Sequence, residues 1–443
     1  MKKIPSGIAC FACGAELSES RCGSCQHNYL MLGDVLCMSP VAEAQLRLWR
    51  HQLHAMQSAS QETIDHYIDQ LAHADVLPAT AQRLEEKLEA AVLIRDFVLS
   101  LFAAVEVTPL HDPSLEGAPL GSLGEYHCHV ARDWAWEEDV SGSCFEQLRT
   151  LQKSWPNNKR GKVLVLGSGA GRVAWDLHCA LGNVETTTLD LNPVLQLLAS
   201  QLIKGQPLPP FPETPVSPQA AMGTTFARWD LTPAKPVAEG LRDSFHQLIG
   251  DIWQLQFLAG TFDCIVTSWF VDVHGRDHRE FIALLTRWLK PEGHWVNTGP
   301  LLYPESLAPE FKSNHQELKD FMALARFTLE QETAELHAHL PSPLSVKKQY
   351  EEIWTFCAKY EPDKRNHNNA FKQPDWLIMH YLPVVKDECK PVERNSVIDA
   401  TLELVDGQRS INDIAAIMAP NLPDDVDIKR ALVSFFAEML PDH

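Results

Sequence analysis

KVLVLGSGAGRVAWDL, residues 162–177, opens on an apolar run of strand length, passes three glycines at every second position, and continues with apolar residues at helical spacing. Strand, loop and helix follow one another without a spacer. The next stretch, NVETTTLDLNP, is a β-branched strand ending in Asp190, and PVLQLLASQLI after it has helical spacing. One βαβ unit with an acid at the tip of its second strand predicts an α/β fold, a doubly wound Rossmann-like sheet.

Two ligand classes use such a unit, and spacing separates them. A dinucleotide fingerprint is Gly-x-Gly-x-x-Gly, its third glycine letting the helix close on the sheet under a pyrophosphate. Here Gly167, Gly169 and Gly171 run Gly-x-Gly-x-Gly, and Arg172 stands where that third glycine belongs. The pattern instead suits S-adenosylmethionine, its aminoacyl tail over bare backbone and its ribose hydroxyls on Asp190, 19 residues beyond Gly171. A carboxylate accepts both hydroxyls with charge assistance. A nicotinamide dinucleotide and a ligand-free turn are the competing readings.

Further strands follow in order. FHQLIGDIWQL predicts a strand ending at Gly250 and Asp251, where doubly wound sheets place groups that meet an adenine. GTFDCIVTSWFVDV predicts the next strand, with Asp263 structural near its start and Asp272 at its far end. There Asp272 is either a surface acid or a carboxylate for a cationic or N–H substrate. REFIALLTRWLK is a helix, PEGHWVNTGPLLY a turn and strand, and SVKKQYEEIWTFCAKY a closing segment in which Tyr350 is a further candidate for the substrate. His274, His278 and His294 read as polar surface or core residues.

Composition bounds the partners. The 443 residues exceed one ordinary core of about 100 to 200 residues. A formal charge of −20 disfavours a broad grip on nucleic acid or anionic lipid. No window offers the roughly 18 uncharged apolar residues of a spanning helix, and the start MKKIPSGIACFACG lacks the apolar run of a signal peptide. A soluble cytoplasmic protein is expected, with no nucleic acid and no membrane as partner.

Four of the eleven cysteines are paired in CFACGAELSESRCGSCQHNY. Two Cys-x-x-Cys knuckles set Cys10, Cys13, Cys22 and Cys25 for one tetrahedral ion, and Gly14 and Gly23 suit the tight turns. A closed four-thiolate zinc site folds a module and performs no chemistry; redox or incidental cysteines are the alternative. Cys37, Cys128, Cys144, Cys179, Cys264, Cys357 and Cys389 are scattered and read as packing residues.

The remainder is organised around this centre. VAEAQLRLWRHQLHAMQ, SQETIDHYIDQLAHADVL and ATAQRLEEKLEAAVLIRDFVLSLFAAV predict three helices, the second and third capped near Ser60 and Thr80, with His51, His54, His66 and His73 on a solvated face. The segment after His127 predicts helix, break and helix, and the Pro-rich GQPLPPFPETPVSPQ a surface loop or lid. The tail predicts a strand, an Asp-Gly turn and two helices, a winged-helix-like module too acidic for DNA and suited to a peptide or to packing. Domains are therefore expected at 1–40 (zinc), 41–124 (helical), 125–360 (cofactor-binding sheet), 361–384 (linker) and 385–443 (C-terminal module).

HVARDWAWEE, KVLVLGSGAGRVAWDL, FDCIVTSWFVDV and HWVNTGPLLYP together resemble the carnosine N-methyltransferase family, over about residues 125–360. The resemblance implies a class I methyltransferase fold and methyl transfer to an imidazole nitrogen of a histidyl compound. It implies that Arg132, Gly167, Gly169, Arg172, Asp190 and Asp251 hold the donor and that Asp272 contacts substrate. Tyr303, closing the last block, is the second candidate catalytic residue. His129 stands where the family tends to have Gln, and Pro304 where a His helps to hold substrate; proline brings neither imidazole nor backbone donor. Two functions follow: a small-molecule N-methyltransferase, or a methyltransferase whose terminal modules recruit a peptide or protein.

Overall fold

The computed structural model describes residues 4–73, 75–116, 127–136, 161–214, 226–234, 237, 240–340, 342–346, 348–362, 373–384, 395–423 and 426–439. Cys144, Cys389, the expected helix after residue 136, the end of the Pro-rich segment and the start of the C-terminal module lie outside them. The chain divides into two compact units, residues 1–270, 296–300 and 333–356, and residues 271–295, 301–332 and 357–443.

The first unit is built on a sheet whose described strands are β1 (Leu30–Leu32), β2 (Val35–Met38), β3 (Gly161–Leu166), β4 (Val184–Asp190), β7 (Phe245–Gly250), β8 (Phe262–Ser268), β9 (Leu289–Gly299), β10 (Phe327–His339) and β11 (Gln349–Tyr360). Their order is β1-β2-β7-β4-β3-β8-β9-β11-β10. The last three strands continue into the second unit. Strands β2, β7, β4, β3 and β8 pair in parallel. From β3 the chain moves outward through β4 to β7, then returns to the other side of β3 with β8, so the strand order reverses between β3 and β8. Ligands of open α/β sheets bind outside the carboxyl ends of strands at such a switch. Val163, Leu164, Val165 and Leu166 are buried, as a parallel strand covered on both faces requires. Asp263 takes the expected structural place, accepting the Lys162 N–H at 2.8 Å.

Two helices are positioned by this sheet. α4 (Arg172–Leu181) begins at Gly171, and α5 (Pro193–Ile203) is capped by Asn192, whose side chain accepts from the N–H groups of Val194 and Leu195. Before them, α1 (Ala42–Ala72) is a single helix where two were expected, and α2 (Pro78–Ala103) starts on a proline. No Gly or Pro interrupts residues 42–72, so Ser60 is an interior residue and no cap. α3 (His127–Trp134) precedes the sheet, and a two-stranded ribbon pairs β5 (Phe211–Glu213) with β6 (Ala227–Trp229).

The cysteine segment is tied into this unit. LMLGDVLCM forms a hairpin, and β2 adds to β7 at the sheet edge, with Met38 opposite Gly250. Asp34 in its turn accepts from Ser200 Oγ at 2.8 Å and Lys204 Nζ at 2.7 Å. Ala9 N–H donates to the Gln256 carbonyl and Leu258 N–H to that of Gly7. Residues 30–38 therefore supply two strands of the large sheet.

The second unit holds α6 (His278–Trp288), α7 (His315–Leu324), α8 (Asp375–Ile378), α9 (Ser396–Glu403), α10 (Ile411–Met418) and α11 (Ile428–Glu438). Phe281 and Phe327 meet Trp295 edge-on, and Trp376 meets Phe436 likewise. The strand expected before the Asp406–Gly407 turn is α9 instead. Asn395 captures the N–H groups of Val397 and Ile398, which starts a helix there. Among the described residues only an isolated Pro383–Ser410 bridge stands for β structure in this tail.

Candidate donor site and catalytic groups

The glycine loop is held from three sides. Gly167, Gly169 and Gly171 all have positive φ (64°, 52° and 81°), a region closed to most side chains. A Cβ on Gly167 would lie 2.6 Å from Phe270 Cδ2, and one on Gly171 would lie 2.9 Å from Ala199 Cβ. A Cβ on Gly169 would meet nothing within 4 Å. Two glycines thus permit close packing under the loop, while the middle one leaves backbone bare on its open side.

Asp190 braces the loop from the tip of β4. Its Oδ2 accepts the Gly169 N–H at 2.8 Å and its Oδ1 the Asn192 N–H at 2.8 Å. Burial pushes this carboxyl up to about 6, against the pull of those backbone donors. Leu191 N–H is a third backbone donor to this carboxylate, and with about four acceptor sites the group keeps room for a further hydroxyl.

The Arg-Asp-Trp block closes over the same loop. Trp134 Nε1 donates to the Ala170 carbonyl at 2.8 Å, and Asp133 accepts Arg132 Nε at 2.8 Å. Arg132 lies over the Trp269 ring, 5.7 Å from its centroid. Arg172 lies 5.2 Å from the Trp134 centroid, and its Nε donates to Asp176 at 2.6 Å. Arg172 therefore clamps α3 to α4. Asp251, one residue past β7, caps its turn by accepting the Trp253 N–H at 2.9 Å. Arg132, the three glycines, Arg172, Asp190 and Asp251 all belong to the first unit.

A buried support went unread in the sequence. Gln196 Nε2 donates to Ser168 Oγ at 2.9 Å and to the Gly169 carbonyl at 3.1 Å, while Gln247 Nε2 donates to the Gln196 carbonyl at 3.1 Å. The available signal was a lone glutamine amid the apolar residues PVLQLL, fully buried in the fold. A buried amide must find partners, and this one finds the loop.

Asp272 and Tyr303 belong to the second unit. β8 stops at Ser268 and Trp269 takes a left-handed φ of 49°, so Asp272 sits in the turn beyond the strand and not at its end. Asp272 is buried, and its Oδ2 accepts the Leu302 N–H at 2.9 Å, tying the two blocks together. The Tyr303 hydroxyl donates to the Ser313 carbonyl at 2.7 Å and lies 3.4 Å from His278 Nε2. Burial raises its pKa, which suits a hydroxyl that holds a loop and does not lose its proton. His274 stacks on Phe281 with centroids 4.6 Å apart, and burial takes it down to about 3; His278 is lowered in the same way. Both are core imidazoles. Tyr350 is exposed on β11.

The four paired cysteines converge. Their Sγ atoms lie within 4.8 Å of one another, with Cys10–Cys25 and Cys13–Cys22 each 3.6 Å apart. Sulfurs on one tetrahedral zinc ion stand about 3.8 Å apart, so the donor set fits. The knuckles repeat: Gly14 N–H donates to the Cys10 carbonyl and Gln26 N–H to that of Cys22. The left-handed place of the second knuckle is taken by Gln26 (φ 64°); Gly23 lies inside the knuckle and has no such role.

The sequence profile of the carnosine N-methyltransferase family matches residues 125–361, just over half of the chain and the stretch that carries this loop, Asp190, Asp272 and Tyr303. The chain belongs to the carnosine N-methyltransferase family. Carnosine N-methyltransferase of Rattus norvegicus is 26% identical over 246 residues, 52% of this chain and 60% of that protein. The Drosophila melanogaster relative, carnosine N-methyltransferase unmet, is 25% identical over 256 residues, 53% of each. The chain thus spans little more than half the length of these relatives. Among solved structures, a SAM-dependent methyltransferase from Methanosarcina mazei matches at 13% identity with a TM-score of 0.32, covering 48% of this chain and 97% of that one. The fold is carried by the strand order and not by that likeness. Within the carnosine N-methyltransferase match, His129 lies on α3, where burial and then Arg132 hold it neutral, down to about 3.

Proposed function

We propose that the chain is an S-adenosylmethionine-dependent N-methyltransferase acting on an imidazole or amine nitrogen of a small histidine-derived compound. The observation that carries this reading is the glycine loop braced by Asp190 at the sheet's switch point, inside the family match. S-adenosylmethionine supplies an electrophilic methyl group on a sulfonium. The bare backbone at Gly169 takes its aminoacyl end, Asp190 accepts from a ribose hydroxyl, and Asp251 and Arg132 complete the cradle. Arg172 acts through Trp134, holding the cover in place.

A neutral imidazole needs little more than positioning. Its unperturbed pKa of about 6.5 leaves the lone pair available near pH 7 without a strong base. Asp272, steadied by the Leu302 N–H, is the acceptor assigned to the ring's other N–H, fixing the tautomer. Tyr303 positions the Leu301–Tyr303 segment through Ser313. The four cysteines are assigned one structural zinc ion.

The test is a methylation assay of the purified chain with S-adenosylmethionine against carnosine, free histidine and a histidine-containing decapeptide, read by mass spectrometry. Turnover of a small compound supports the reading. Methylation of the peptide alone moves it to the polypeptide-modifying alternative, and none at all overturns it.

A further inference from the structure

A second cluster of metal-ligating side chains lies in the second unit. His294 on β9, Glu330 on β10 and Cys357 on β11 bring their ligand atoms within 4.8 Å of one another. His294 Nε2 stands 3.5 Å from Glu330 Oε2, and Cys357 Sγ stands 3.9 Å from that same oxygen. β11 lies between β9 and β10 in the sheet, so His294 and Glu330 come in from either side of Cys357. Nitrogen, oxygen and sulfur ligands at ordinary zinc distances stand about 3.3 to 3.6 Å apart around a tetrahedral ion, close to what is found.

We propose that His294, Glu330 and Cys357 form a three-ligand site for zinc or a similar divalent transition metal. The mixed donor set argues for that class: calcium and magnesium take oxygen, whereas a thiolate with an imidazole suits zinc. Charge agrees, since one thiolate and one carboxylate neutralise a dication, and the neighbouring Lys359 is engaged by Glu292. Cys357 is buried, while the side chains of His294 and Glu330 keep 18% and 42% of their surface. The fourth position therefore faces outward and takes water or an exogenous thiol or imidazole, unlike the closed four-cysteine site.

Cobalt titration of the metal-free full chain tests this. The expected result is a cobalt equivalent, beyond that of the four-cysteine site, whose near-ultraviolet thiolate band has the strength of one sulfur. His294→Gln, Glu330→Gln and Cys357→Ser should each lose that equivalent while keeping the four-thiolate spectrum. A wild-type titration showing only the four-thiolate spectrum overturns the proposal, whatever the variants do. So does a second equivalent that survives all three substitutions.

Discussion

The glycine loop and the Asp272–Tyr303 blocks were equally recognisable as sequence, yet they are built differently. In the loop, each feature answers a local demand: positive φ at three glycines, a brace from Asp190, a buried amide from Gln196. In the other region the polar groups are committed to holding backbone, Asp272 to Leu302 and Tyr303 to Ser313. Contacts from β4 and α5 converge on one stretch of loop backbone, whereas Asp272 and Tyr303 each fix a separate piece of chain.

The sharpest way to separate the two is Asp272→Asn. Turnover should fall about a hundredfold, the scale of losing a proton-positioning group, while donor affinity stays within about twofold by calorimetry. Loss of donor binding would erase the distinction. Next is Gly171→Ala. With φ at 81° and Ala199 Cβ 2.9 Å away, it should cost about 1–3 kcal/mol of stability, read by urea denaturation. An unchanged midpoint would mean the loop is not packed as described.

Acidity gives a smaller effect. With the free Asp190 carboxyl at about 6, donor binding to its charged form should tighten about tenfold from pH 5 to 7 and then level off. The free protein behaves oppositely: a raised carboxyl pKa favours the folded state at low pH, and that share of stability is lost as pH rises from about 4 through 6. A flat donor affinity across that window would take Asp190 out of the site. Smallest is Tyr303→Phe, expected to cost about 1 kcal/mol of stability by removing one hydrogen bond. A turnover loss as large as that of Asp272→Asn would instead make the hydroxyl catalytic.

Much of the sheet was legible because its strands are short apolar or β-branched runs closed by Gly or Asp at Leu166–Gly167, Asp190 and Gly250. Where the reading failed, a longer-range or competing effect prevailed. The hairpin LMLGDVLCM carries a Gly-Asp turn that signals two strands, but its partner β7 lies more than 200 residues away. Helix α1 ran through Ser60 because a serine followed by helix formers need not cap. Cys357 is buried, as its packing reading expects, but its approach to His294 and Glu330 could not be read because they lie far from it in sequence and meet it only through the sheet. Among the described residues, no helix is long and apolar enough to cross a membrane.

Calorimetric titration with S-adenosylmethionine and its demethylated product, on wild type and Asp190→Ala, tests the central claim most directly. The expected result is micromolar binding of both by wild type and at least a hundredfold loss in the variant, about 2.7 kcal/mol. Equal affinity in the two proteins, or no binding to wild type, would contradict a methyl-donor site at this loop.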